Sequence, residues 1–313
     1  MRILLTGASS FTGAWFVREL AAAGHDVTAT FRRRPEAYED PVRRRRVELA
    51  VERCRPAFGV AFGDEQFLAL AREGPWDLLA HHAADVTNYR SMDFDALGAL
   101  QANARALPAV LDALRGAGCR RVLLTGSVFE GGEGAGSEGL PDFSPYGLSK
   151  ALTASTFRYY CRRAGLHLGK FVIANPFGPH EEPRYTAYLM KGWLTGTTPS
   201  CNNPSYVRDN IHVSLLAKAY AAFAGALPTT PGTSHVAPSG YPESMGAFTL
   251  RLVAEMRPRL GLPCAVELKR QTEFPEPRVR IAVDVPDAQA LGWDEGAAWD
   301  ALARYYRDLL APP

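Results

Sequence analysis

The sequence predicts an α/β protein: a doubly wound parallel sheet with a second, smaller and irregular α/β lobe. Three observations predict this fold. Short apolar runs alternate with longer amphipathic stretches through the first half of the 313 residues, a glycine-containing turn follows the first run, and proline, glycine and asparagine become frequent after residue 175. Strands that alternate with helices of this length form parallel sheets covered on both faces.

The elements of the first half can be assigned in order. Six apolar runs have the length and composition of strands: residues 1–7, 25–31, 60–64, 77–84, 120–127 and 168–175. Helices are predicted between them at 13–23, within the polar region 33–58, and at 65–72, 94–117 and 146–164. Pro108 lies inside the fourth of these stretches, where we expect a kink.

The second half is rich in turns and has no clean linker. One helix is predicted there, at 186–194. We assign residues 1–174 to the first domain, with 208–227 packing back on it. Residues 175–207 and 228–313 are assigned mostly to the smaller lobe.

Composition excludes several classes of function. The net charge of +2 predicts neither a nucleic-acid nor a membrane partner, and no apolar stretch is long enough to span a bilayer. The five cysteines are scattered without metal-ligand spacing, so no metal site is predicted. An odd number of separated thiols and an N-terminus without a signal-peptide pattern predict a cytoplasmic protein.

The turn TGASSFTG, residues 6–13, follows the first strand and opens a helix. Glycine lets the backbone approach a pyrophosphate, and a helix N-terminus offers free N–H groups to it. Gly7 and Gly13 hold glycine positions of such a turn, whereas Ser10 stands where a middle glycine is usual. In this context the turn predicts a dinucleotide-binding domain of the Rossmann type.

The residues after the second and third strands bear on which dinucleotide binds. Phe31 takes the position where NAD-specific sites place an acidic residue, and Arg32 and Arg33 follow it. Guanidinium groups suit a 2′-phosphate, so NADP is predicted, with NAD as the alternative. Asp64 is interpreted either as an adenine contact or as a plain helix cap. The run 43–46, four arginines, predicts a solvated helix face, with a phosphate contact as the alternative.

The stretch SPYGLSK places Tyr146 and Lys150 on one helix face. The strand-end hydroxyls of Thr125 and Ser127 precede them by about twenty residues, and ligands of such sheets bind at the carboxyl ends of strands. A phenol with a pKa of about 10 becomes a usable base beside a lysine ammonium. Tyr146 could then exchange a proton with an alcohol or carbonyl while hydride moves to or from carbon.

Six motifs occur in order: TGASSFTG, HHAA at 81–84, TGSVFEGG, SPYGLSK, NPFGP at 175–179 and RDNIHV at 208–213. Together they resemble the extended short-chain dehydrogenase/reductase family, in its branch of nucleotide-sugar epimerases, dehydratases and reductases. The resemblance runs from residue 1 to about 310. It implies catalytic roles for Thr125, Tyr146 and Lys150, with Ser127 as the second candidate for the hydroxyl.

The resemblance also implies binding residues. Cofactor binding is assigned to Gly7, Ser9, Ser10, Phe11, Thr12, Gly13, Phe31, Arg32, Arg33, Asp64, His82, Ala83, Ala84, Asn103, Tyr146 and Lys150. Substrate binding is assigned to Asp85, Thr87, Asn88, Ser127, Asn175 and Arg208, the last two toward a diphosphate. Asn103 is equally well interpreted as a buried structural amide. His212 is interpreted as a structural histidine. Arg278 and Arg280 are interpreted as a second phosphate contact.

Departures from the family pattern narrow the activity. The 4,6-dehydratases carry an Asp-Glu pair where this chain has Gly126 and Ser127, so dehydration is not expected. The expected enzyme is an NAD(P)-dependent nucleotide-diphosphate-sugar epimerase or reductase that acts at a ring carbon, with C4 preferred, and pairs as a homodimer. The alternatives are an NADPH-dependent reductase of a small carbonyl without a nucleotide and, third, a cofactor sensor without turnover.

Overall fold

The structure is a computed structural model that describes residues 1–310. Its strands are β1 (Arg2–Thr6), β2 (Asp26–Phe31), β3 (Arg55–Phe58), β4 (Leu78–His81), β5 (Arg121–Ser127), β6 (Ala135–Gly136), β7 (His167–Ile173), β8 (Asn175–Phe177), β9 (Ser200–Cys201), β10 (Val207–His212), β11 (Gly232–Val236), β12 (Tyr241–Ser244), β13 (Glu267–Leu268) and β14 (Val279–Ile281). Its α-helices are α1 (Phe11–Ala22), α2 (Pro41–Val51), α3 (Glu65–Arg72), α4 (Ala96–Asn103), α5 (Leu107–Gly116), α6 (Pro145–Ala164), α7 (Tyr185–Leu194), α8 (Val213–Ala226), α9 (Met245–Leu260) and α10 (Glu295–Leu310).

The chain forms two compact units. The first contains residues 1–133, 141–173 and 217–237, and the second contains 134–140, 174–216 and the residues from 238 onward. This division differs from the predicted one in three segments and one residue: 134–140, Ala174 and 208–216 belong to the second unit, and 228–237 belong to the first. The last of these differences arises because β11 pairs with β7. Residues 311–313 of the predicted lobe lie outside the described residues.

The first unit is built on a seven-stranded sheet in the order β11-β7-β5-β4-β1-β2-β3. Every neighbouring pair in it is parallel. The predicted doubly wound fold is therefore confirmed. Successive connections run in opposite directions from β1, which lies between β2 and β4. At such a switch point the connections that leave the carboxyl ends of the two central strands run to opposite sides and leave a crevice for a ligand.

The central strand β1 is apolar from Ile3 to Leu5 because both faces of the sheet are covered there. Ile3, Leu4 and Leu5 of β1 are all fully buried. A continuous apolar run is typical of a parallel strand with helices on both sides. On one face, buried residues of α5 and α6, including Leu111 and Phe157, belong to one apolar cluster with Leu4. This packing brings α6 against the sheet.

Two local predictions were wrong. The third strand was predicted at 60–64, but β3 lies earlier, and the run after it forms a turn in which Gly63 has a φ of +74°. Val60 and Phe62 of this run are buried all the same, so its apolar residues reflect burial of a turn and not a strand. The single helix predicted at 94–117 is two helices, because Ala106 adopts a left-handed conformation (φ +49°) and Pro108 lies in the first turn of α5. Proline is tolerated there since the N–H that it lacks has no helical partner.

The sixth predicted strand also ends earlier than expected. The chain leaves the first sheet after Ile173, where β7 ends, and β8 then pairs with β10 in the second unit. Asn175, predicted to end the sixth strand, is therefore the first residue of β8, where it lies opposite Asn210.

The second unit contains a small mixed sheet in the order β12-β10-β14-β6, with β8 also paired to β10. Phe177, Phe248 and Trp299 belong to its apolar core. Asp209, at the centre of RDNIHV, is fully buried and accepts hydrogen bonds from the Ser239 hydroxyl and from backbone N–H groups. Burial raises its pKa, and these donors oppose that effect. Across residues 1–310, no helix combines the length and apolar character needed to cross a membrane.

Candidate active site

Gly7 and Gly13 make the turn after β1 a close-fitting backbone cradle. Gly7 has a φ of +84°, and a Cβ placed on it would lie 2.8 Å from the backbone nitrogen of Ala83, just after β4. A Cβ on Gly13 would lie 2.2 Å from the carbonyl oxygen of Gly7. Side chains at either position would collide with backbone, so glycine keeps the turn tight at the switch point. This cradle fits the pyrophosphate of a dinucleotide.

Ser10 replaces the usual middle glycine and caps α1. Its Oγ accepts a hydrogen bond from the N–H of Gly13 at 3.1 Å and donates to the carbonyl oxygen of Gly7 at 2.9 Å. The cap satisfies one of the free donors at the helix start. Phe11 and Thr12 follow as buried residues of the first turn. The serine therefore stabilises the conformation that the glycines allow.

The positive charge that reaches this turn comes from α2, and not from the arginines after β2 that the sequence favoured as phosphate contacts. Phe31 is buried and stacks on Phe58 with ring centroids 4.8 Å apart, while Arg32 and Arg33 are exposed. Arg43 on α2 donates from its terminal nitrogen to Ser9 Oγ at 3.3 Å.

The same guanidinium lies over the Tyr38 ring, with its Cζ 5.8 Å from the ring centroid. The Nε atom of Arg43 is buried and has no hydrogen-bond partner among residues 1–310. The expectation of a solvated helix face is therefore wrong for Arg43. It is also wrong for Arg46, which is buried, and it holds for the exposed Arg44 and Arg45.

Asp64 caps α3. Its Oδ1 accepts from the N–H of Phe67 at 2.7 Å, and its Oδ2 accepts from the N–H of Ala61 at 2.8 Å. This is the helix-cap interpretation of the residue. The adenine contact stays a prediction.

Two adjacent histidines at the end of β4 have different environments. His81 is buried, and its Nε2 donates to the carbonyl oxygen of Asn103 at 3.1 Å. Its Nδ1 lies 3.0 Å from the hydroxyl of Thr6, which also accepts from the backbone N–H groups of His82 and Ala83. Burial lowers the pKa of His81 to about 3, so the ring is neutral. His81 is a structural residue.

His82 contacts three hydroxyl groups. Its Nε2 lies 3.0 Å from the oxygens of both Ser10 and Thr12, and its Nδ1 lies 3.0 Å from that of Thr125. Burial, then the charge of Lys150, lowers the pKa of His82 to about 3. The neutral ring therefore links the glycine turn to the end of β5. The family pattern implied cofactor binding at this position but not this set of contacts.

The segment after β4 is held in place by Asn103. Its Oδ1 accepts from the N–H of Asp85 at 2.8 Å, and its Nδ2 donates to Thr153 at 3.4 Å. This is the buried structural amide that was one of its two interpretations. The Asp85 carboxylate accepts from the N–H of Thr87, and both Thr87 and Asn88 are exposed. Roles of these residues toward cofactor or substrate stay predictions.

The two halves of the predicted catalytic group meet through Lys150. Its Nζ, on α6, donates to the backbone carbonyl oxygen of Thr125, on β5, at 2.6 Å. Both residues are buried. This hydrogen bond joins the Tyr-Lys helix to the strand end beside the switch point.

Tyr146 lies one turn before Lys150 among aromatic rings. Its ring centroid is 5.4 Å from that of Tyr89, 5.9 Å from that of Phe94 and 6.4 Å from that of Phe129. Gly147 allows this approach, since a Cβ there would lie 2.1 Å from the carbonyl oxygen of Phe129. The phenol is therefore anchored against the loop that follows β5.

A buried ionic cluster lies behind that loop, and sequence reasoning missed it. The ammonium of Lys170, on β7, donates to Glu130 at 2.5 Å and to Glu133 at 2.6 Å. Glu133 also contacts His235 at 2.8 Å. Burial alone would raise the pKa of Glu133, but its hydrogen bonds to Lys170 and His235 hold the pKa below its usual value. A lysine inside the apolar strand LGKFVIAN was the available signal, because a buried ammonium requires a carboxylate partner.

This cluster also shapes the strand end. Glu130 accepts from the N–H of Ser127 at 2.7 Å. A Cβ on Gly126 would lie 2.7 Å from the Cε of Lys170 and 2.9 Å from a carboxylate oxygen of Glu130. Burial lowers the pKa of Lys150 to about 8, with Glu130 opposing and Lys170 reinforcing the shift.

The second unit holds the predicted diphosphate contacts. The Arg208 guanidinium is already engaged: it donates to Glu276 at 2.8 Å and to the carbonyl oxygens of residues 207, 277 and 278. His212 is buried and contacts the hydroxyl of Ser214 at 2.7 Å, as a structural histidine would. The Arg278 guanidinium lies over the Phe274 ring, and Arg280 is buried. Within residues 1–310, no group of His, Cys, Asp and Glu side chains is arranged to hold a metal ion.

Lys150 gives a testable dependence of stability on pH. Its folded-state pKa of about 8 lies below the ordinary lysine value of 10.5, so between these values the unfolded chain binds more protons than the folded one. The wild type should therefore gain stability as the pH rises through this window, and Lys150→Met should lack the gain. We expect the stability of the wild type relative to the variant to rise by about 2 kcal/mol between pH 8 and 10, measured by urea unfolding.

The matched control is Lys191→Met, at an exposed lysine of α7. The free energy of unfolding of Lys191→Met should differ from that of the wild type by the same amount at every pH between 7 and 10. If the difference in free energy of unfolding between Lys150→Met and the wild type stays constant from pH 7 to 10, a buried ammonium with a lowered pKa is ruled out.

Solved structures share this fold over nearly the whole chain. A UDP-glucose 4-epimerase from Thermotoga maritima is 19% identical with a TM-score of 0.74, covering 99% of this chain and 100% of that one. A UDP-glucuronic acid 4-epimerase from Bacillus cereus is 16% identical with a TM-score of 0.75 and the same coverage. A dTDP-glucose 4,6-dehydratase from Streptomyces venezuelae is 22% identical with a TM-score of 0.66, covering 98% and 97%. At these identities the likeness establishes the fold alone.

Sequence comparison establishes the family. No curated protein matches the chain. The model of the NAD dependent epimerase/dehydratase family matches residues 3–237, which include the glycine turn, the HHAA segment, the end of β5 and the Tyr-Lys helix. The chain belongs to the NAD dependent epimerase/dehydratase family.

Proposed function

We propose that the chain is an NAD(P)-dependent nucleotide-diphosphate-sugar epimerase or reductase that transfers hydride at a sugar ring carbon, with C4 preferred. One observation carries the proposal: the hydrogen bond from Lys150 to Thr125 joins the Tyr-Lys helix to the strand end beside the dinucleotide cradle. Family membership supports the substrate class. The UDP-sugar 4-epimerases among the structural relatives support C4.

Tyr146 is the proposed acid and base. It takes the proton of a sugar hydroxyl when that carbon is oxidised and returns it when the carbonyl is reduced. Lys150 supports this role through its charge, because an ammonium favours the anionic phenolate over the phenol. With a pKa of about 8, Lys150 is mostly protonated at pH 7.

The residues of the first unit fit a nicotinamide dinucleotide. The cradle of Gly7 and Gly13 would hold the pyrophosphate, and Lys150 would hold the ribose next to the nicotinamide. An ammonium has three donors, and only one is used by the carbonyl of Thr125. When bound, the cofactor supplies the carbon that accepts the hydride and gives it back.

Dehydration is not part of the proposal. Elimination of water needs an acid near the sugar, and this chain has Gly126 and Ser127 where dehydratases carry an acidic pair. A side chain at 126 would also collide with Lys170 and Glu130. Since the two nearby carboxylates already share Lys170, acid–base work falls to Tyr146.

A second candidate is an NADPH-dependent reductase of a small carbonyl without a nucleotide. Arg208 favours it, because this guanidinium already has Glu276 and three carbonyl oxygens as partners and so has less need of a diphosphate. Asn175 and Arg208 as diphosphate contacts therefore stay predictions. Whether the enzyme epimerises or only reduces depends on whether it keeps its cofactor.

Replacing Tyr146 by Phe tests the proposal. The probe is UDP-glucose with NADP⁺ or NAD⁺, and the products are followed by chromatography and by absorbance of the reduced cofactor. We expect turnover to fall at least about 100-fold in Tyr146→Phe, because a positioned acid–base group contributes that much, with little change in cofactor affinity. Tyr159→Phe, on the same helix but 47% exposed, is the matched control and should keep wild-type turnover.

The outcomes separate the candidates. An epimerase would form a product sugar and keep about one molecule of NAD or NADP per chain. Mass spectrometry of the denatured protein identifies this bound cofactor. Consumption of added NADPH indicates a reductase. Turnover of simple carbonyls but of no nucleotide sugar would favour the second candidate, and Tyr146→Phe as active as the wild type would refute the mechanism in either form.

We further propose that NADP is the preferred cofactor, with NAD as the alternative. Arg32 and Arg33 are exposed after β2, and Arg43 brings a partly unpaired guanidinium to Ser9 in the glycine turn. The position at the end of β2 where NAD-specific sites have a carboxylate for the ribose 2′-hydroxyl is occupied by Phe31, which is buried against Phe58. A guanidinium suits the 2′-phosphate in both charge and geometry.

Arg43→Ala tests this preference. A hydrogen bond to a charged group contributes roughly 1.5–3 kcal/mol, so the affinity for NADP⁺ should fall about tenfold or more while that for NAD⁺ changes little. Both affinities can be measured by titration calorimetry. The control is Arg45→Ala, an exposed arginine of α2 that pairs with Glu48. Wild-type protein that binds NAD⁺ more tightly than NADP⁺ would overturn the proposal.

A homodimer and a cytoplasmic location stay predictions. Leu97 on α4 and Leu148 on α6 are 69% and 40% exposed, which supports pairing through the helices near 95–115 and 146–164. Sedimentation equilibrium that detects only monomer at micromolar concentration would exclude the dimer.

A further inference from the structure

The environment of His82 assigns a direction to each of its hydrogen bonds. The ring is neutral, so it has one N–H group and one lone pair. Nε2 lies 3.0 Å from the hydroxyls of Ser10 and Thr12, and Nδ1 lies 3.0 Å from that of Thr125. Which nitrogen carries the proton follows from the partners of these hydroxyls.

Ser10 determines the tautomer. A hydroxyl has one proton, and the Ser10 hydroxyl donates it to the carbonyl oxygen of Gly7 at 2.9 Å. Toward His82 its oxygen is then an acceptor, so Nε2 carries the N–H. The Nδ1 lone pair remains for Thr125, whose hydroxyl must donate to it. The single proton of Thr125 is thereby directed at His82, and the two lone pairs of its oxygen remain to accept, one from the neighbouring Tyr220 phenol and one from a group at the reaction centre.

We propose that His82 is a positioning residue that fixes the Thr125 hydroxyl as a hydrogen-bond acceptor at the reaction centre and ties it to the cofactor-binding turn through Ser10 and Thr12. The inference rests on the proposed function, in which Thr125 meets the reacting alcohol. With its own proton held by the ring, the Thr125 hydroxyl accepts a hydrogen bond from the sugar hydroxyl or from the Tyr146 phenol, while the proton transfer itself stays with Tyr146. An acceptor of fixed direction orients that O–H group and restricts the poses from which hydride can leave.

Two amide substitutions separate the two ends of the ring. The Asn amide ends as many bonds from Cβ as Nδ1 does, so His82→Asn keeps a group that reaches Thr125. The Gln amide ends as many bonds from Cβ as Nε2 does, so His82→Gln keeps a group that reaches Ser10 and Thr12. His82→Phe removes both nitrogens and preserves a ring beside Phe16, whose centroid lies 5.0 Å from that of His82.

The kinetic experiment uses the full chain with UDP-glucose and the cofactor that it binds. We expect kcat to fall about tenfold in His82→Gln and His82→Phe and to stay within about threefold of the wild type in His82→Asn, since small misplacements of catalytic groups cost such factors. KM and cofactor affinity should change little. In the Thr125→Val background, His82→Gln should cause no further loss, because a residue that acts through another is not additive with it.

Nitrogen NMR of protein labelled with ¹⁵N-histidine tests the geometry without activity. The His82 signals, assigned from their loss in His82→Phe, should indicate a neutral Nε2–H ring between pH 5 and 9. Thr125→Val should shift the Nδ1 signal, and Ser10→Ala the Nε2 signal. If the wild type turns over no probe sugar, the proposed function fails, and the Nδ1 signal still decides whether His82 holds Thr125.

Three results would overturn the inference. The first is wild-type kcat in His82→Phe. The second is equal impairment of the Asn and Gln variants accompanied by weaker cofactor binding, which would indicate a purely structural histidine. The third is an Nδ1 signal that does not respond to Thr125→Val.

Discussion

Two buried ammonium groups behind the end of β5 determine how this edge of the first unit is built. A buried charge costs several kcal/mol unless it is paired, and Lys150 and Lys170 are both buried. Two carboxylates compensate them: Glu130 and Glu133 share the ammonium of Lys170, and Glu130 also acts on Lys150. Loss of any one member would leave a charge uncompensated. The loop after β5, the inner strand β7 and the helix α6 are therefore held together by charge balance as well as by apolar packing.

This balance limits which chemistry the site can perform. The carboxylates nearest the strand end are committed to Lys170, and Gly126 cannot carry a side chain without displacing that pair. The end of β5 and the start of α6 contribute a threonine hydroxyl, a serine hydroxyl and the phenol of Tyr146. Such groups can direct and exchange one proton, which is what a hydride transfer at carbon requires. The reaction scope that we propose thus follows from the electrostatics behind the strand as much as from the residues at its end.

The sequence predicted those features that depend on local pattern. The first strand, the glycine turn and the Tyr-Lys helix are each specified by neighbouring residues, and all three form as predicted. Features that depend on distant partners were missed. His82 meets Ser10 across 72 positions, and Lys170 meets Glu130 across 40. The break at Ala106 was missed for another reason: a left-handed alanine has no signal in composition, and Pro108 predicts a kink and a helix start equally well.

The choice between NAD and NADP that we propose depends on very few side chains of the fold. NAD and NADP differ at one ribose oxygen, and a single hydrogen bond to a charged group is enough to change an affinity by one or two orders of magnitude. The usual determinant follows β2, where this chain buries Phe31 against Phe58. A positive charge comes instead from Arg43 on α2, which reaches the glycine turn at Ser9. Because this arginine lies on α2, outside the glycine turn itself, membership of the family leaves the choice of cofactor open, and the arginines of one helix can decide it.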